Sequence, residues 1–105
     1  MGKTKTQGAP ESTLPDIDRL IHEPARLLIM ANLYVVESAD FVFLMNQTGL
    51  TQGNLSSHLT RLEKGRYIRI KKEFKGRRPY TMVSITGKGR EAFESYSAIL
   101  KKVLV

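Results

Sequence analysis

The sequence predicts a single small domain of the α+β class, mainly α-helical with one small β-hairpin. Apolar residues recur at helical spacing in several segments, most clearly in the leucines of residues 55–62, which stand at i, i+4 and i+7. Between residues 68 and 85 the apolar period changes from 3.6 to 2 around a glycine, which is typical of a hairpin. A chain of 105 residues with 41% hydrophobic residues suits one domain with a modest core.

The first residues predict a flexible arm that leads into the domain. Residues 1–13 are rich in Gly, Pro, Thr, Ser and Lys without an apolar period, so we expect an arm over 1–13 and a domain over 14–105. From Pro15 and Asp16 the pattern becomes helical, with Asp16 as a candidate cap. A short apolar stripe follows, formed by Ile17, Leu20 and Ile21.

Two compact helices are expected next. Pro24 suits the first turn of a helix, because its missing N–H costs nothing there. That helix ends near Val36 and has an apolar face at helical spacing, which consists of Leu27, Met30, Ala31 and Tyr34. The second helix runs roughly from Ala39 to Gln47, and Gly49 follows at the position where a helix end favours a left-handed residue.

Residues 51–64 predict a third helix with an unusual polar face. Thr51 is a good N-cap, and the leucines of residues 55–62 determine which side is buried. The opposite side carries short hydrogen-bonding groups where an ordinary surface helix has charged pairs: Gln52 in the first turn, then Gly53, Asn54, Ser57, Thr60 and Arg61. Because Ser and Asn are poor helix formers, this composition favours a binding surface over an ordinary solvated face.

The hairpin and a long last helix complete the predicted fold. Gly76 lies at the turn between the two alternating segments, and Thr86 is the expected cap of the last helix. The apolar stripe of that helix is broader than one small domain easily covers, so we expect part of it to pair two subunits in a homodimer. The stripe consists of Phe93, Tyr96, Leu100 and Val103 and is widened by Ala92 and Ile99, and the expected dimer residues are Phe93, Tyr96, Ile99, Leu100 and Val103.

The positive charge is concentrated in one third of the chain. The net charge is +7, and residues 61–90 hold 11 of the 17 Lys and Arg residues but only two of the ten acids. Such an asymmetry points to a polyanion, either nucleic acid or an anionic membrane surface. A solvated basic face is common as well, so charge alone does not decide between these partners.

The polar face of the third helix has the groups that read bases in a major groove. Short side chains let a helix backbone approach base edges, Asn or Gln pairs with adenine, and Arg pairs with guanine. We therefore predict that double-stranded DNA is read by Gln52, Asn54, Ser57 and Arg61, with Thr51 and Ser56 in support. His58 flanks the leucines, so we expect a partly buried, hydrogen-bonded histidine, with a phosphate contact as the alternative.

The cations of the hairpin form a second candidate contact. Their only acidic neighbour in the hairpin is Glu73, whereas an ordinary exposed loop mixes the two signs of charge. A basic β-ribbon beside a DNA-reading helix can follow the phosphate backbone or enter a narrow minor groove. The residues predicted to do so are Lys71, Lys72, Lys75, Arg77 and Arg78.

These segments together resemble the winged helix-turn-helix regulators of the MarR and ArsR type. The resemblance is carried by "LIHEPARLLIMANL", "ADFVFLMNQTGLTQGNLSSHL" and "ITGKGREAF", and it covers about residues 16–104. It implies a recognition helix at 51–64, a wing at 67–85 and terminal helices that pair two subunits. The family usually has a glycine where Arg66 stands, so either Gly65 ends the helix one residue sooner or Arg66 is left-handed.

Other classes of function find less support in the sequence. The chain has no cysteine and two distant histidines, and no phosphate-binding loop, nucleophile elbow or paired-carboxylate site stands out, so we expect no enzyme, metal or cofactor. No segment resembles a signal peptide or a membrane span, which favours a cytoplasmic protein. No polar cluster identifies a small-molecule effector, which would have to use the crevice between the first, recognition and last helices.

Two rival functions are compatible with the same fold. One is a non-specific chromatin-like or RNA-binding protein, which would use the basic third of the chain but would not need Gln52 and Asn54. The other is a winged-helix protein–protein interaction module, since a fold does not determine its function. Of these functions, the sequence favours a dimeric, sequence-specific DNA-binding transcription regulator.

Overall fold

The computed structural model describes residues 17–104 and confirms the α+β class, with four helices and a three-stranded antiparallel sheet. The predicted arm over residues 1–13, the start of the domain at 14 and the candidate cap Asp16 lie outside the described residues. In chain order the elements are α1 (Pro24–Val36), β1 (Ser38–Asp40), α2 (Phe41–Thr48), α3 (Gln52–Lys64), β2 (Ile68–Lys75), β3 (Arg78–Ile85) and α4 (Gly87–Leu104).

The helical pattern expected from Pro15 onward is wrong for residues 17–23, which form turns. The carboxylate of Asp18 accepts hydrogen bonds from the backbone N–H groups of Leu20 (2.9 Å) and Ile21 (3.0 Å). Such local side-chain bonds compete with the helical ladder. The first helix therefore begins at Pro24, where its N-cap is Glu23, whose carboxylate accepts from the Arg26 N–H.

A short strand replaces the predicted start of the second helix. Ala39 belongs to β1, and α2 begins at Phe41, because the carboxylate of Asp40 accepts from the Phe43 N–H at 2.7 Å and caps the helix there. At its other end Gly49 has φ +72°, which confirms the left-handed residue expected at that position.

The sheet has the order β1–β3–β2, so β3 is hydrogen-bonded on both sides. In the hairpin Ile68 pairs with Ile85 at the root and Lys75 pairs with Arg78 at the tip. The loop between the strands is thus two residues long, and its first residue, Gly76, has the positive φ (+62°) that such tight loops require. β1 pairs only with the inner end of β3, so the outer part of the hairpin projects as a wing.

The core lies between the helices and the inner face of the sheet. All three leucines of α3 are fully or almost fully buried, which confirms the predicted face of that helix. Burial of each such side chain contributes roughly 1.5–3 kcal/mol, so these leucines determine the rotation of α3 about its axis. The core consists of Ile21, Ile29, Met30, Leu33, Ala39, Leu44, Leu55, Leu59, Leu62, Ile68, Val83 and Tyr96.

The junction between α3 and the wing resolves the two alternatives for Arg66. The helix ends at Lys64, Gly65 has φ −76°, and Arg66 is left-handed with φ +66°. The glycine at 65 is explained by packing, because a Cβ there would collide with a methyl group of Leu20. Thr86 donates its hydroxyl to the Arg66 carbonyl at 2.7 Å and accepts from the Gly89 N–H, which confirms Thr86 as the cap of α4.

Candidate nucleic-acid interface

The outer face of α3 presents an uninterrupted polar surface to solvent. Thr51 caps the helix by accepting from the Asn54 N–H at 3.2 Å, as predicted. Beside Gly53 no atom lies within 4 Å of the place where a Cβ would stand, so the backbone of the first turn can be approached closely. The structure exposes every predicted member of this face: Thr51, Gln52, Asn54, Ser56, Ser57, Thr60 and Arg61.

The middle of α3 is held by a polar cluster that sequence reasoning missed. Nδ1 of His58 lies 3.1 Å from a guanidinium nitrogen of Arg26 and 3.9 Å from the carboxylate of Glu23. Arg26 is only 9% exposed, and its Nε also donates to the Leu20 carbonyl. His58 is thus partly buried and hydrogen-bonded, as expected, and it joins the third helix to the first.

The neighbours of Glu23 in this cluster stabilise its charged form. Burial alone would raise the pKa of the Glu23 carboxyl, but the hydrogen bond from the Arg26 N–H and the positive charge nearby hold the pKa below its ordinary value. The sequence contains one indication of this cluster. Arg26 is a cation that stands within the otherwise largely apolar segment of α1. A buried arginine requires partners, yet the partners could not be named without the fold.

The wing is joined to α3 at its root and carries its cations farther out. Glu63 of α3 accepts from the Ile70 N–H of β2 at 3.2 Å, which links the helix to the hairpin. All five predicted wing cations are exposed: Lys71, Lys72, Lys75, Arg77 and Arg78. The hydrogen bond from Ile70 to Glu63 thus connects α3, which carries the polar face, to the hairpin, which carries the cations.

The one acid among the wing cations is occupied within the hairpin itself. Glu73 lies 3.9 Å from the Lys71 ammonium and accepts from the Tyr80 hydroxyl at 3.2 Å. Burial and this carboxylate raise the pKa of Tyr80, and Lys75 lies 5.5 Å from the centre of the Tyr80 ring. The negative charge is thus compensated locally and does not weaken the positive character of the wing.

The apolar stripe of α4 is divided between the core and the surface. Tyr96 is 3% exposed and its hydroxyl lies 2.9 Å from Nδ1 of His22, so its side chain belongs to the interior of its own domain. This corrects the expectation that Tyr96 contributes directly to a subunit contact. Of the other predicted dimer residues, Val103 is 50% exposed, and the half-buried ones are Phe93, Ile99 and Leu100.

Two surface crevices adjoin the helices and β1, beside a third of about 550 Å³ between the start of α2 and the wing. One, of about 420 Å³, lies between α1 and α4, where the ring of Tyr34 is 5.0 Å from that of Phe93 and its hydroxyl donates to Glu94 at 2.7 Å. The other, of about 490 Å³, lies between β1 and the wing and is lined by residues that include Phe43, Tyr80 and Met82. The polar residues that line them include Glu94 and Lys101 in the first crevice and Asp40 and Lys75 in the second.

The described part of the chain shows neither a membrane span nor a metal centre. No helix within residues 17–104 is long and apolar enough to cross a bilayer. The same residues contain no group of three or more His, Asp or Glu side chains arranged to hold a metal ion. The candidate functional surfaces among the described residues are the exposed polar face of α3 and the exposed cations of the wing.

Comparison with known proteins assigns these elements to a family. Residues 25–104 match the family model of the winged helix DNA-binding domain. An uncharacterized protein of Methanocaldococcus jannaschii is 37% identical over 78 residues, which span 74% of this chain and 85% of that protein. The matched region includes α3, the wing and α4, so the family relationship extends over the whole candidate interface.

Solved structures share the same architecture. A transcriptional regulator homologue from Pyrococcus horikoshii OT3 superposes with a TM-score of 0.82 at 31% identity, covering 91% of this chain and 95% of that one. A MarR-family regulator from Enterococcus faecalis V583 superposes with a TM-score of 0.73 at 17% identity, covering 92% and 87% of the two chains. The second similarity concerns the fold alone.

Proposed function

The chain belongs to the winged helix DNA-binding domain family, and from that premise we propose that it is a sequence-specific transcription regulator. In this proposal a homodimer in the cytoplasm binds double-stranded DNA, with α3 in the major groove and the wing on the phosphate backbone or in the adjacent minor groove. The similarity to the Pyrococcus horikoshii regulator homologue supports the regulatory part of the proposal.

One observation carries the proposal, namely the contrast between the two sides of α3. The fully buried residues of α3 are all leucines, and the exposed side is entirely short, polar or amide-bearing except for Arg61 and the residues near its end. A helix that fits a major groove needs this combination, because side chains must reach base edges while the backbone stays close. Gln52 and Asn54 are the candidate adenine readers, and Arg61 is the candidate guanine reader.

The wing and the helix cap have a different task in this proposal. The ammonium and guanidinium groups of the wing contact phosphates, which fixes the position of the protein without reading sequence. Thr51 and Ser56 add hydrogen bonds at the start of α3, where free backbone N–H groups favour an anion. Binding should therefore weaken steeply with salt, by a slope that reflects the number of phosphates neutralised.

The homodimer rests on the apolar surface of α4. Val103 and Leu104 are 50% and 76% exposed near the end of a helix whose inner residues are packed in the core. Pairing two copies through this surface would offer two recognition helices to half-sites about 34 Å apart. We expect Val103→Asp to produce monomers in analytical ultracentrifugation, whereas Val42→Asp, at an exposed valine on α2, leaves the mass unchanged.

The decisive experiment is selection of bound duplexes from a random DNA pool, followed by affinity measurements at two salt concentrations. We expect a palindromic sequence that is preferred over a scrambled duplex by ~10³-fold or more. Gln52→Ala with Asn54→Ala should remove most of that preference. A matched control is Asn46→Ala with Gln47→Ala, which removes the same amide types from exposed positions of α2 and should leave the preference unchanged.

The other outcomes separate the rival functions. Tight, salt-dependent binding without sequence preference, unaffected by the α3 substitutions, would establish a chromatin-like or RNA-binding protein. Alanine at each wing cation should instead weaken binding to all sequences alike and reduce the salt slope by about 1. If no duplex binds at low salt, the DNA-binding proposal is wrong and the interaction module takes its place.

A further inference from the structure

The tip of the wing carries a large aromatic side chain in an unusual setting. Phe74 is 69% exposed, and its cross-strand partner is Pro79, one rung before the end of the hairpin. The cations Lys75 and Arg78 occupy the terminal rung, and Arg77 lies in the loop. An exposed phenylalanine contributes nothing to the core of its own domain, so its position calls for a partner.

The two faces of the hairpin differ along their length. Side chains alternate across a strand, so the face that contains Phe74 also contains Ile68, Ile70 and Lys72. On this face Ile68 is buried, Ile70 is half-buried, and Lys72 and Phe74 are exposed. Moving outward from the root, the face thus changes from core to cation to aromatic ring.

The opposite face holds the acid and its partners. Glu73, Tyr80 and Lys75 form one cluster there, through the Glu73–Tyr80 hydrogen bond and the contact of Lys75 with the ring. The two outer rungs of the Phe74 face, Lys72 with Thr81 and Phe74 with Pro79, contain no acid. The aromatic ring is therefore presented on the face of the wing tip that is free of negative charge.

This arrangement fits a nucleic-acid partner better than an apolar protein surface. Cations on both sides of the ring would have to be desolvated against an apolar partner, at considerable cost. Against a duplex the same cations meet phosphates, while the ring meets the apolar faces of stacked bases. Charge complementarity thus favours a DNA duplex as the partner of the wing tip.

We propose that Phe74, supported by Pro79, is an apolar wedge that enters between two base pairs from the minor groove and bends the DNA. The inference rests on the proposed DNA-binding function and adds to it a mode of recognition. Wedges of this kind unstack one base step and kink the duplex by about 20–90°. Because TA and CA/TG steps unstack most easily, the wing should favour such a step at its site without contacting its base edges.

The test uses the duplex selected from the random pool, or a mixed-sequence duplex if no sequence is preferred. End-labelled duplexes report bending by energy transfer, and 2-aminopurine at single positions reports unstacking by its fluorescence. The variants are Phe74→Ala, Phe74→Leu and Arg77→Ala, with Val35→Ala as the control for loss of an exposed apolar side chain elsewhere, since Val35 is 78% exposed on α1. Circular dichroism shows that each variant is folded.

We expect the unmodified protein to bend the duplex and to raise the fluorescence at one step under each wing. Phe74→Ala should abolish both signals at saturating protein and weaken binding about tenfold. Phe74→Leu should retain part of the bend, while Arg77→Ala should weaken binding but leave the bend of the saturated complex intact. Val35→Ala should change nothing.

Three results would overturn the inference, and they differ in what they imply for the proposed function. Sequence-specific binding to straight DNA with unchanged 2-aminopurine fluorescence would exclude the wedge and leave the regulator proposal standing. Bending that persists in Phe74→Ala would exclude Phe74 as its cause. Absence of DNA binding altogether would remove both proposals together.

Discussion

The guanidinium of Arg26 lies 3.1 Å from Nδ1 of His58, which means that a buried cation of α1 is hydrogen-bonded to α3. The same arginine donates to the carbonyl of Leu20, so one side chain connects the turns of residues 17–23, the first helix and α3. The orientation of α3 thus depends on a polar contact as well as on its leucines.

Replacement of Arg26 by Met should destabilise the domain by about 1–3 kcal/mol, because the Leu20 carbonyl and His58 would lose their donor while the aliphatic volume is retained. Chemical denaturation monitored by circular dichroism measures this change. Arg69→Met is the control, since Arg69 is an exposed cation on β2, and its effect should stay within about 0.5 kcal/mol. If both substitutions changed the free energy of unfolding equally, Arg26 would have no structural role beyond that of an exposed cation.

Replacement of Gly53 by Ala should separate stability from DNA binding. A Cβ at this position meets no atom within 4 Å, and alanine is a better helix former than glycine by roughly 0.5–1 kcal/mol. We therefore expect higher stability together with weaker binding to the selected duplex, because in the proposed complex the methyl group would stand between the helix backbone and the bases. Unchanged affinity would show that the first turn of α3 does not come close to DNA.

Replacement of Arg66 by Gly should stabilise the domain by up to ~1 kcal/mol, because glycine has no Cβ to strain at φ +66°. Arg66→Ala is the matched control, since it removes the same charge but keeps the Cβ, and no gain is expected from it. Thermal unfolding distinguishes the two variants. A similar response from both would mean that the left-handed conformation costs little here.

The hydroxyl of Tyr67 donates to the carboxylate of Asp18, and burial together with this hydrogen bond and charge raises the pKa of Tyr67 to about 12. A pKa raised by folding means that this contribution to stability is complete below the unfolded value of about 10 and is lost as pH rises toward 12. The difference in free energy of unfolding between the unmodified protein and Tyr67→Phe should therefore shrink as the pH rises from about 10 to about 12. The difference between the tyrosinate absorbance titrations of the two proteins should give a midpoint near 12.

Replacement of Gly89 by Ala should be more harmful than replacement of Gly65 by Ala. A Cβ at position 89 would collide with the backbone carbonyl of Tyr67, whereas a Cβ at position 65 would meet only the end of the Leu20 side chain, which can move. Overpacking against rigid backbone typically costs about 1–3 kcal/mol. Urea denaturation of the two variants checks this order.

The parts of the fold that were predictable depend on local chemistry. Thr51, Thr86 and Gly49 act within a few residues of their own positions, and the leucines of α3 repeat over two turns. The hairpin is likewise encoded by alternation and by Gly76. Such features can be derived from the sequence because their partners are close in the chain.

The features that were missed depend on partners far along the chain. β1 has only three residues and exists because Ser38 pairs with Ser84 and Asp40 with Met82. The contact of Arg26 with His58 and the burial of Tyr96 against His22 likewise join distant segments. Periodicity indicates that one side of α4 is apolar. It does not tell which residues of that side pack in the core and which remain exposed.

The alternation of the two hairpin faces limits how the wing can change in length during evolution. Insertion of one residue into each strand would move every side chain of the tip to the other side of the ribbon, placing Phe74 on the face that now carries Glu73 and Tyr80. Only insertions or deletions of two residues in each strand keep aromatic ring and acid on their present sides. Among relatives that use the tip in the same way, wings should therefore differ in total length by multiples of four residues.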